Sequence, residues 1–343
     1  VEGPRSKIKI VGFIAAAAAL MLVIIVLINP ALFRDEAVSE ELTLAIIDFR
    51  DLSNADDRSI SVGLTSFLHI GLDESSPIRV ISSDLIYDIR RRLFGSGRGE
   101  IEPDQVFEVA REAKCAMFLT GQIIGSDDER YVTWRLVETR SGRNLAARRA
   151  EGGSLADIAD GIIAETLPLI DREAESEAAS TPISVAAVTT NSTQAYHNYI
   201  AGILAFEERR LPDAIEELEN AVRYDSTFAL AYAALSMAHY SSIATYSDRD
   251  LAIEYAKKAA SLKSRLSHKE RQRVEANLAR AEGRVQDALA ILRELNKSWP
   301  DDVDLAKTLI EVLYLYGYMQ EALVVSRKSA TLYPDDQFLA SYY

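Results

Sequence analysis

The sequence has few of the residues that metal centres require. Its only cysteine is Cys115, so it has no intramolecular disulfide and no cysteine-rich metal site. The four histidines, His69, His197, His239 and His268, lie far apart, and no HxH or HExxH pair occurs. We therefore expect no bound metal and no cofactor, and we expect Cys115 to be a buried core residue.

Basic charge is also scarce. The chain has 38 lysines and arginines against 52 aspartates and glutamates, a formal net charge of −14. No run of basic residues interrupts this acidic background. A polyanion would be repelled, so we expect no nucleic-acid partner for this segment.

Motifs for catalysis are similarly lacking, and we predict no catalytic residues. The GxSxG pattern of serine hydrolases is absent. The glycine-rich stretch 95–100 follows a helical pattern rather than a strand, which favours a connector over a phosphate loop. The acidic stretches 54–57 and 127–130 are typical of solvated turns. A hydrolase formed by residues 41–172 is a minor alternative.

Residues 10–33 contain no charge and are long enough to cross a bilayer. A buried helix or a cleaved signal peptide is the alternative, but signal peptides usually have apolar cores of only about 7–15 residues. The preceding stub 1–9 is basic and the residues after 33 are acidic. The sequence thus predicts a single-pass inner-membrane protein with a cytoplasmic N-terminus and residues 34–343 periplasmic or extracellular. Five alanines at 15–19 would allow a homodimer through this span.

Between residues 41 and 172, β-rich runs alternate with helical patterns, which predicts an α/β domain with a mixed sheet. Helix starts are indicated at Asp84, Pro103 and Ser154 by their capping chemistry. The predicted strands are 42–49, 78–83, 116–125 and 131–139.

Five stretches of this domain carry a resemblance to a known family. They are "LAIIDFRDLS", "VGLTSFL", "IRVISS", "EVAREAKCAMFLTGQI" and "RLVETRSGRNLAARR", in that order. Together they resemble the TolB N-terminal-like (FlgO-like) domain, although Ala146 and Ala147 replace its usual aromatic residue. The resemblance implies a bacterial protein in which this domain lies between a membrane helix and tetratricopeptide (TPR) repeats. Such relatives often carry a protein kinase, nucleotide cyclase or winged-helix regulator before the membrane span. The first residue is Val1 rather than Met, which favours such an upstream domain, although a trimmed short cytoplasmic tail would look the same.

After a predicted linker at 173–192, a helical pattern recurs through residues 193–343. Its aligned alanines are Ala214, Ala252, Ala288 and Ala322, spaced 38, 36 and 34 residues apart. This period and its small-residue positions match the TPR pattern of stacked helix pairs. The fold class is therefore α/β plus all-α, namely a single transmembrane helix, a mixed-sheet domain and a TPR α-solenoid. The solenoid should contain about four repeats and the start of a fifth.

Two details of the repeat pattern are specific. The second unit has its alanine four residues late, so a longer turn at 244–250 should separate its helices. A fifth unit should begin near Gln337, where the segment ends within it.

By the resemblance, partner-facing positions lie on the first helix of each pair. An aromatic half followed by a basic half would suit an extended peptide with apolar and acidic side chains. Packing between repeats is the alternative for each residue. The predicted peptide-binding residues are Tyr196, Tyr199, Ile203, Phe206, Met237, Tyr240, Arg273, Asn277, Arg280, Lys307, Glu311 and Tyr314.

These features together predict a non-catalytic region that binds protein or peptide partners and couples binding to a cytoplasmic signalling domain. An envelope assembly scaffold with no cytoplasmic output is the alternative from a different class.

Overall fold

A computed structural model describes residues 42–52, 59–95, 102–125, 129–175, 179–241 and 246–342. The predicted stub 1–9 and membrane span 10–33 lie outside these ranges. Among the helices that are described, none has the length and apolar composition needed to cross a bilayer. Residues 43–343 belong to one compact unit, which combines a mixed α/β layer with a TPR-like helical solenoid.

The sheet has five strands in the order β2-β1-β3-β4-β5. β1 pairs in parallel with β2 and β3, whereas β3, β4 and β5 form antiparallel hairpins. The predicted mixed sheet is thus confirmed, although β2 has only two residues where the sequence predicts six. The strands are β1 Thr43–Asp51, β2 Arg79–Val80, β3 Met117–Ile124, β4 Tyr131–Glu138 and β5 Asn144–Glu151.

Helices cover both faces of β1, which lies between β2 and β3. Helix α1 (Ser59–Ser75) packs on one face of β1 and on α4 (Leu155–Glu173), which itself packs on β4 and β5. Helices α2 (Ser83–Phe94) and α3 (Pro103–Glu112) pack on the other, where Ala45 and Ile47 join their apolar core. Since β1 is buried on both sides, it reads as a continuous apolar run rather than an alternating one.

Local capping explains where these helices begin. Ser154 caps α4 by accepting a hydrogen bond from the Asp157 N–H, as predicted. The cap of α2 is Ser82, whose hydroxyl accepts from the Asp84 N–H, so the prediction of Asp84 as the cap is wrong. Serine and aspartate both cap helices well, so Ser82 and Asp84, two positions apart, cannot be distinguished as caps by residue type alone.

The predicted linker is packed against the α/β layer over its described part. It contains a one-turn helix, α5 (Val185–Val188), and the Val185 side chain is fully buried. The Ile183 N–H donates to Ser75 Oγ at 3.1 Å, and the Val185 N–H donates to Asp160 Oδ1 at 2.7 Å. These contacts fix the path by which the chain enters the solenoid.

The solenoid consists of consecutive antiparallel helix pairs. The two helices of each pair pack on each other, and the second helix of each pair packs on the first helix of the next. The pairs are α6 Thr193–Glu207 with α7 Leu211–Tyr224, α8 Ala229–Ser241 with α9 Tyr246–Ser261, α10 His268–Ala281 with α11 Val285–Ser298, and α12 Val303–Leu315 with α13 Met319–Ala330.

Small residues set the spacing of the first pair. A Cβ atom on Gly202 would lie 2.6 Å from Leu218 Cγ and 3.2 Å from the Ala214 carbonyl oxygen. The fifth unit begins with α14 at Gln337, as predicted. In the second unit, α9 already begins at Tyr246, so most of the predicted turn 244–250 is helical.

Candidate functional site

The first repeat packs directly on the α/β layer through an aromatic contact. The Tyr196 ring on α6 stacks on Phe67 of α1 with centroids 4.0 Å apart. Its hydroxyl donates a hydrogen bond to the Gly63 carbonyl oxygen at 2.8 Å. A side chain on Gly63 would displace this ring, because its Cβ would lie 2.8 Å from Tyr196 Cε1. Tyr196, one of the predicted peptide-binding residues, is therefore buried in this contact.

A second attachment lies at the end of the third repeat, about 100 residues further along the chain. The Asp301 carboxylate accepts from Arg79 Nη1 at 2.8 Å and from the Ser82 N–H at 2.7 Å. Its own backbone carbonyl accepts from the Tyr333 hydroxyl at 2.6 Å. Asp301 thus connects β2 and the start of α2 to the third and fourth repeats.

Charged side chains surround this second attachment. Trp299 Nε1 donates to both carboxylate oxygens of Asp73, at 3.1 and 2.9 Å. Lys269 Nζ lies 3.0 Å from Asp302 Oδ2 and 3.9 Å from Asp73 Oδ2. Burial opposes the charged form of Lys269, but these two carboxylates outweigh it and raise its pKa. Burial also raises the pKa of Asp73, against the opposing effects of Lys269 and Trp299.

His69 lies on α1 near this attachment. Burial, with a smaller contribution from the Lys269 charge, lowers its pKa from 6.5 to about 3. His69 is therefore neutral at physiological pH, and its charge state would change only in a strongly acidic medium. We define the interface cluster as His69, Asp73, Lys269, Trp299 and Asp301.

The other predicted aromatic residues of the first repeat are half-buried. Tyr199 packs on Phe228 with ring centroids 5.0 Å apart, and Phe206 joins the apolar cluster around Leu218. Ile203 is half-buried on the same helix, α6. These side chains contribute more to packing between helices than to an open surface.

Further along the array, the structure brings several predicted residues together across consecutive first helices. The Arg280 guanidinium lies over the Tyr240 ring at 3.9 Å, and its Nη1 is 4.0 Å from Glu311 Oε2. Tyr314 meets Tyr342 edge to face, with centroids 5.2 Å apart. We call Tyr240, Arg280, Glu311, Tyr314 and Tyr342 the inner stripe. Tyr342 was not predicted from the sequence, because its contact with Tyr314 forms only when the fifth unit folds back beside α12.

The cations of the predicted basic half all have carboxylate neighbours. Arg273 Nη1 lies 3.5 Å from Glu270, and Lys307 Nζ lies 2.7 Å from Asp336. Glu270 is the main reason why the pKa of Arg273 is raised. With Arg280 beside Glu311, the predicted basic half carries little net positive charge. The remaining predicted residues, Met237 and Asn277, are half-buried on α8 and α10.

Cys115 occupies a core position, as predicted. Its side chain is buried, and burial raises the thiol pKa to about 11. Sγ lies 3.3 Å from the Ala110 carbonyl oxygen and 3.4 Å from Thr139 Oγ1. A thiol with this pKa is protonated at neutral pH and is a poor nucleophile.

A cavity of about 280 Å³ lies where α1, α4 and α6 meet. Its lining includes Phe67, Ser154, Leu155, Tyr196 and His197. In the part of the chain that the structure describes, no group of three or more His, Cys, Asp or Glu side chains is arranged to hold a metal ion.

Comparison with known proteins gives fold-level likenesses only. No protein-family model matches the sequence, and no curated protein matches it. The LpoB C-terminal domain from Salmonella enterica is similar with 11% identity and a TM-score of 0.30, covering 36% of this chain and 92% of that chain.

Two further solved structures are also similar to this chain. The TPR protein TTC0263 from Thermus thermophilus is similar with 17% identity and a TM-score of 0.35, covering 55% of this chain and 89% of that chain. The pilF protein of Pseudomonas aeruginosa is similar with 15% identity and a TM-score of 0.28, covering 53% of this chain and 81% of that chain. The TPR-like assignment rests on the helix pairing and repeat spacing of this chain itself.

Proposed function

We propose that this protein is a non-catalytic interaction module whose solenoid binds an extended peptide segment of a protein partner. The observation that carries the proposal is the inner stripe, which runs across α8, α10 and α12 and ends beside α14. It places aromatic, cationic and anionic side chains side by side on consecutive first helices. A continuous row of this kind suits a peptide that lies across several repeats.

We further propose that residues 10–33 anchor this module in the inner membrane, with residues 34–343 outside the cytoplasm. The uncharged run and its basic and acidic flanks support this arrangement. An alkaline phosphatase fusion after residue 41, which is active only outside the cytoplasm, should be active. An inactive phosphatase fusion together with an active cytoplasmic reporter at the same site would overturn the orientation.

We favour a function in which partner binding to the solenoid is coupled to a cytoplasmic domain. An envelope scaffold without such coupling is the alternative. Two attachments fix the solenoid to the α/β layer, through Tyr196 and through Asp301. A partner bound to the solenoid would therefore be held at a defined position relative to the α/β layer. This favours transmission of binding over a flexible tether. A hydrolase activity of the α/β layer is a further, minor alternative.

Peptide binding can be tested by selecting displayed random peptides on the immobilised full chain. The affinities of the selected peptides for the wild-type chain and for the Asn277→Trp variant are then measured by fluorescence polarisation. This substitution places a bulky ring on α10 between Arg273 and Arg280. We expect affinity to fall by about tenfold or more, equivalent to roughly 1.4 kcal/mol. Glu294→Trp, at an exposed position on the second helix α11, serves as the matched control and should bind normally.

The outcome decides the role of the solenoid. Peptides that bind wild type, Asn277→Trp and Glu294→Trp equally well do not use the first-helix surface. A selection that yields no binder above background argues against a peptide-binding solenoid altogether. Urea unfolding of both variants establishes that they are folded under the binding conditions.

A further inference from the structure

The part of the inner stripe around Tyr314 has an arrangement that the other predicted positions lack. Tyr314 and Tyr342 present their rings at an interplanar angle of 83°, with centroids 5.2 Å apart. Glu311 lies one helical turn before Tyr314 on α12, and its side chain is 48% exposed. Tyr314 is 47% exposed. Two differently oriented aromatic rings and an accessible carboxylate therefore lie together on one surface.

At this end the exposed member of the ion pair is the anion, because the Arg280 side chain is largely buried and that of Glu311 is not. The cation paired with Glu311 is Arg280 at 4.0 Å, a long ion pair, and the Arg280 guanidinium is stacked on Tyr240. A carboxylate has about four lone-pair sites, so this contact leaves Glu311 able to accept further hydrogen bonds. Burial and then the Glu311 charge raise the pKa of Tyr342, which shows that the carboxylate acts on this ring.

We propose that Glu311, Tyr314 and Tyr342 form a site for a lysine or arginine side chain of the bound peptide. This inference rests on the proposed function, because it names the partner chemistry of the same surface. The negative faces of aromatic rings attract cations, and the attraction increases where the cation is partly desolvated. The carboxylate adds a charge-assisted hydrogen bond.

Charge complementarity favours a basic partner over an acidic one. Arg273 and Lys307 are already neutralised by Glu270 and Asp336, whereas Glu311 keeps an exposed carboxylate. The chain as a whole carries a net charge of −14, so a basic segment would also be attracted at long range.

Apolar residues beside the site define what should flank the cation. The turn after α12 exposes several large apolar side chains immediately beyond Tyr314. They are Leu315 (68% exposed), Tyr316 (50%), Tyr318 (38%) and Met319 (49%). In the first and third repeats the residues aligned with Tyr318 are Arg210 and Arg284, each paired with a glutamate and an aspartate. The fourth repeat thus replaces a charged turn with an apolar one next to the cation site, so we expect a basic residue flanked by apolar residues.

The test uses the peptides selected on the full chain. We expect enrichment of lysine and arginine, and substitution of the selected basic residue by glutamine should weaken binding about fivefold to tenfold. Glu311→Gln and Tyr314→Leu should each produce a similar loss, whereas Tyr314→Phe should retain most of the affinity because it keeps the ring. Glu294→Gln and Tyr224→Leu, both at exposed positions, are matched controls and should bind normally.

Failure of this site can be distinguished from failure of the proposed function. Peptides that are blocked by Asn277→Trp but are acidic or neutral, or that bind Glu311→Gln and Tyr314→Leu as well as wild type, overturn the cation site and leave the binding surface intact. Peptides that are insensitive to Asn277→Trp overturn both. Loss of affinity in Tyr314→Phe equal to that in Tyr314→Leu would assign the effect to the hydroxyl and would also refute the cation site.

Discussion

Replacement of Asp301 by alanine should weaken the attachment of the solenoid to the α/β layer. The substitution removes the acceptor for the Ser82 N–H at 2.7 Å and for Arg79 Nη1 at 2.8 Å. Loss of the acceptor for this partly buried backbone donor costs about 1–2 kcal/mol. The Arg79 side chain is 24% exposed, so we count its ion pair near the surface value of about 0.5–1 kcal/mol. We therefore expect Asp301→Ala to lower the free energy of unfolding by about 2 kcal/mol.

The chain supplies its own control for this experiment. The motif "WPDD" that contains Asp301 recurs as "YPDD" in the fourth repeat, where Asp335 takes the equivalent position. Asp335 is exposed, so Asp335→Ala should change stability by less than about 0.5 kcal/mol. Asp301→Asn keeps an acceptor for Ser82 but loses the charge, and should lie between the two.

Urea unfolding monitored by tryptophan fluorescence measures these differences. Trp134 lies in the core of the sheet and Trp299 lies in the interface cluster, so the signal samples both parts of the molecule. Equal unfolding midpoints for Asp301→Ala and Asp335→Ala would refute the view that Asp301 fastens the solenoid to the α/β layer. A double-mutant cycle with Arg79→Ala should give a coupling energy of about 0.5–1 kcal/mol.

Three further predictions concern the packing of the same unit. The pKa of His69 is about 3 in the folded chain and 6.5 in the unfolded chain. Between these values only the unfolded chain binds the proton, so stability falls as the pH falls below 6.5, and urea unfolding should show a loss of up to about 2 kcal/mol from pH 7 to pH 5. The His69→Gln substitution should reduce this loss, whereas His197→Gln should not. Gly202→Ala should destabilise the first repeat by about 1–3 kcal/mol, because the new Cβ would meet Leu218. Gly161→Ala is the control: nothing lies within 4 Å of its new Cβ, so it should stabilise α4 by roughly 0.5–1 kcal/mol. Equal shifts in melting temperature for the two variants would contradict the close approach of α6 and α7. Tyr196→Phe should cost about 1 kcal/mol in urea unfolding through loss of one buried hydrogen bond, and an unchanged midpoint would show that the hydroxyl contributes nothing to the first attachment.

The architecture was largely predictable because it depends on periodic features. The alanine spacing predicts the helix pairs, and the start of the fifth unit at Gln337 follows from the same period. The strands β1, β3 and β4 are apolar runs bounded by turn residues, so they too are found from local pattern. The short β2 is an exception, since its length is set by where Asp301 and the start of α2 meet it.

The partners of charged residues were not predictable from local pattern. Arg280 and Lys307 form part of a basic half in the sequence, yet each lies beside a carboxylate contributed by a later element. Asp301 and Asp335 occupy the same position of the same motif, yet one is 4% exposed and the other is exposed. Contacts between segments separated by dozens or hundreds of residues decide these roles, and no periodicity within one segment encodes them.

The separation of the two attachments bears on how binding would be transmitted. Tyr196 holds the first repeat on α1, and Asp301 holds the end of the third repeat on β2 and α2. One attachment alone would leave the solenoid free to rotate about a hinge, whereas two attachments on different elements remove that rotation. The inner stripe lies partly beyond the second attachment, at Glu311 and Tyr314, so force applied there by a partner acts on the Asp301 contact before it reaches α6. The interface cluster is therefore one element through which the state of the inner stripe can reach the α/β layer. A substitution at Asp301 should weaken this link without altering the stripe itself, while the contacts of Trp299 and Lys269 with Asp73 remain.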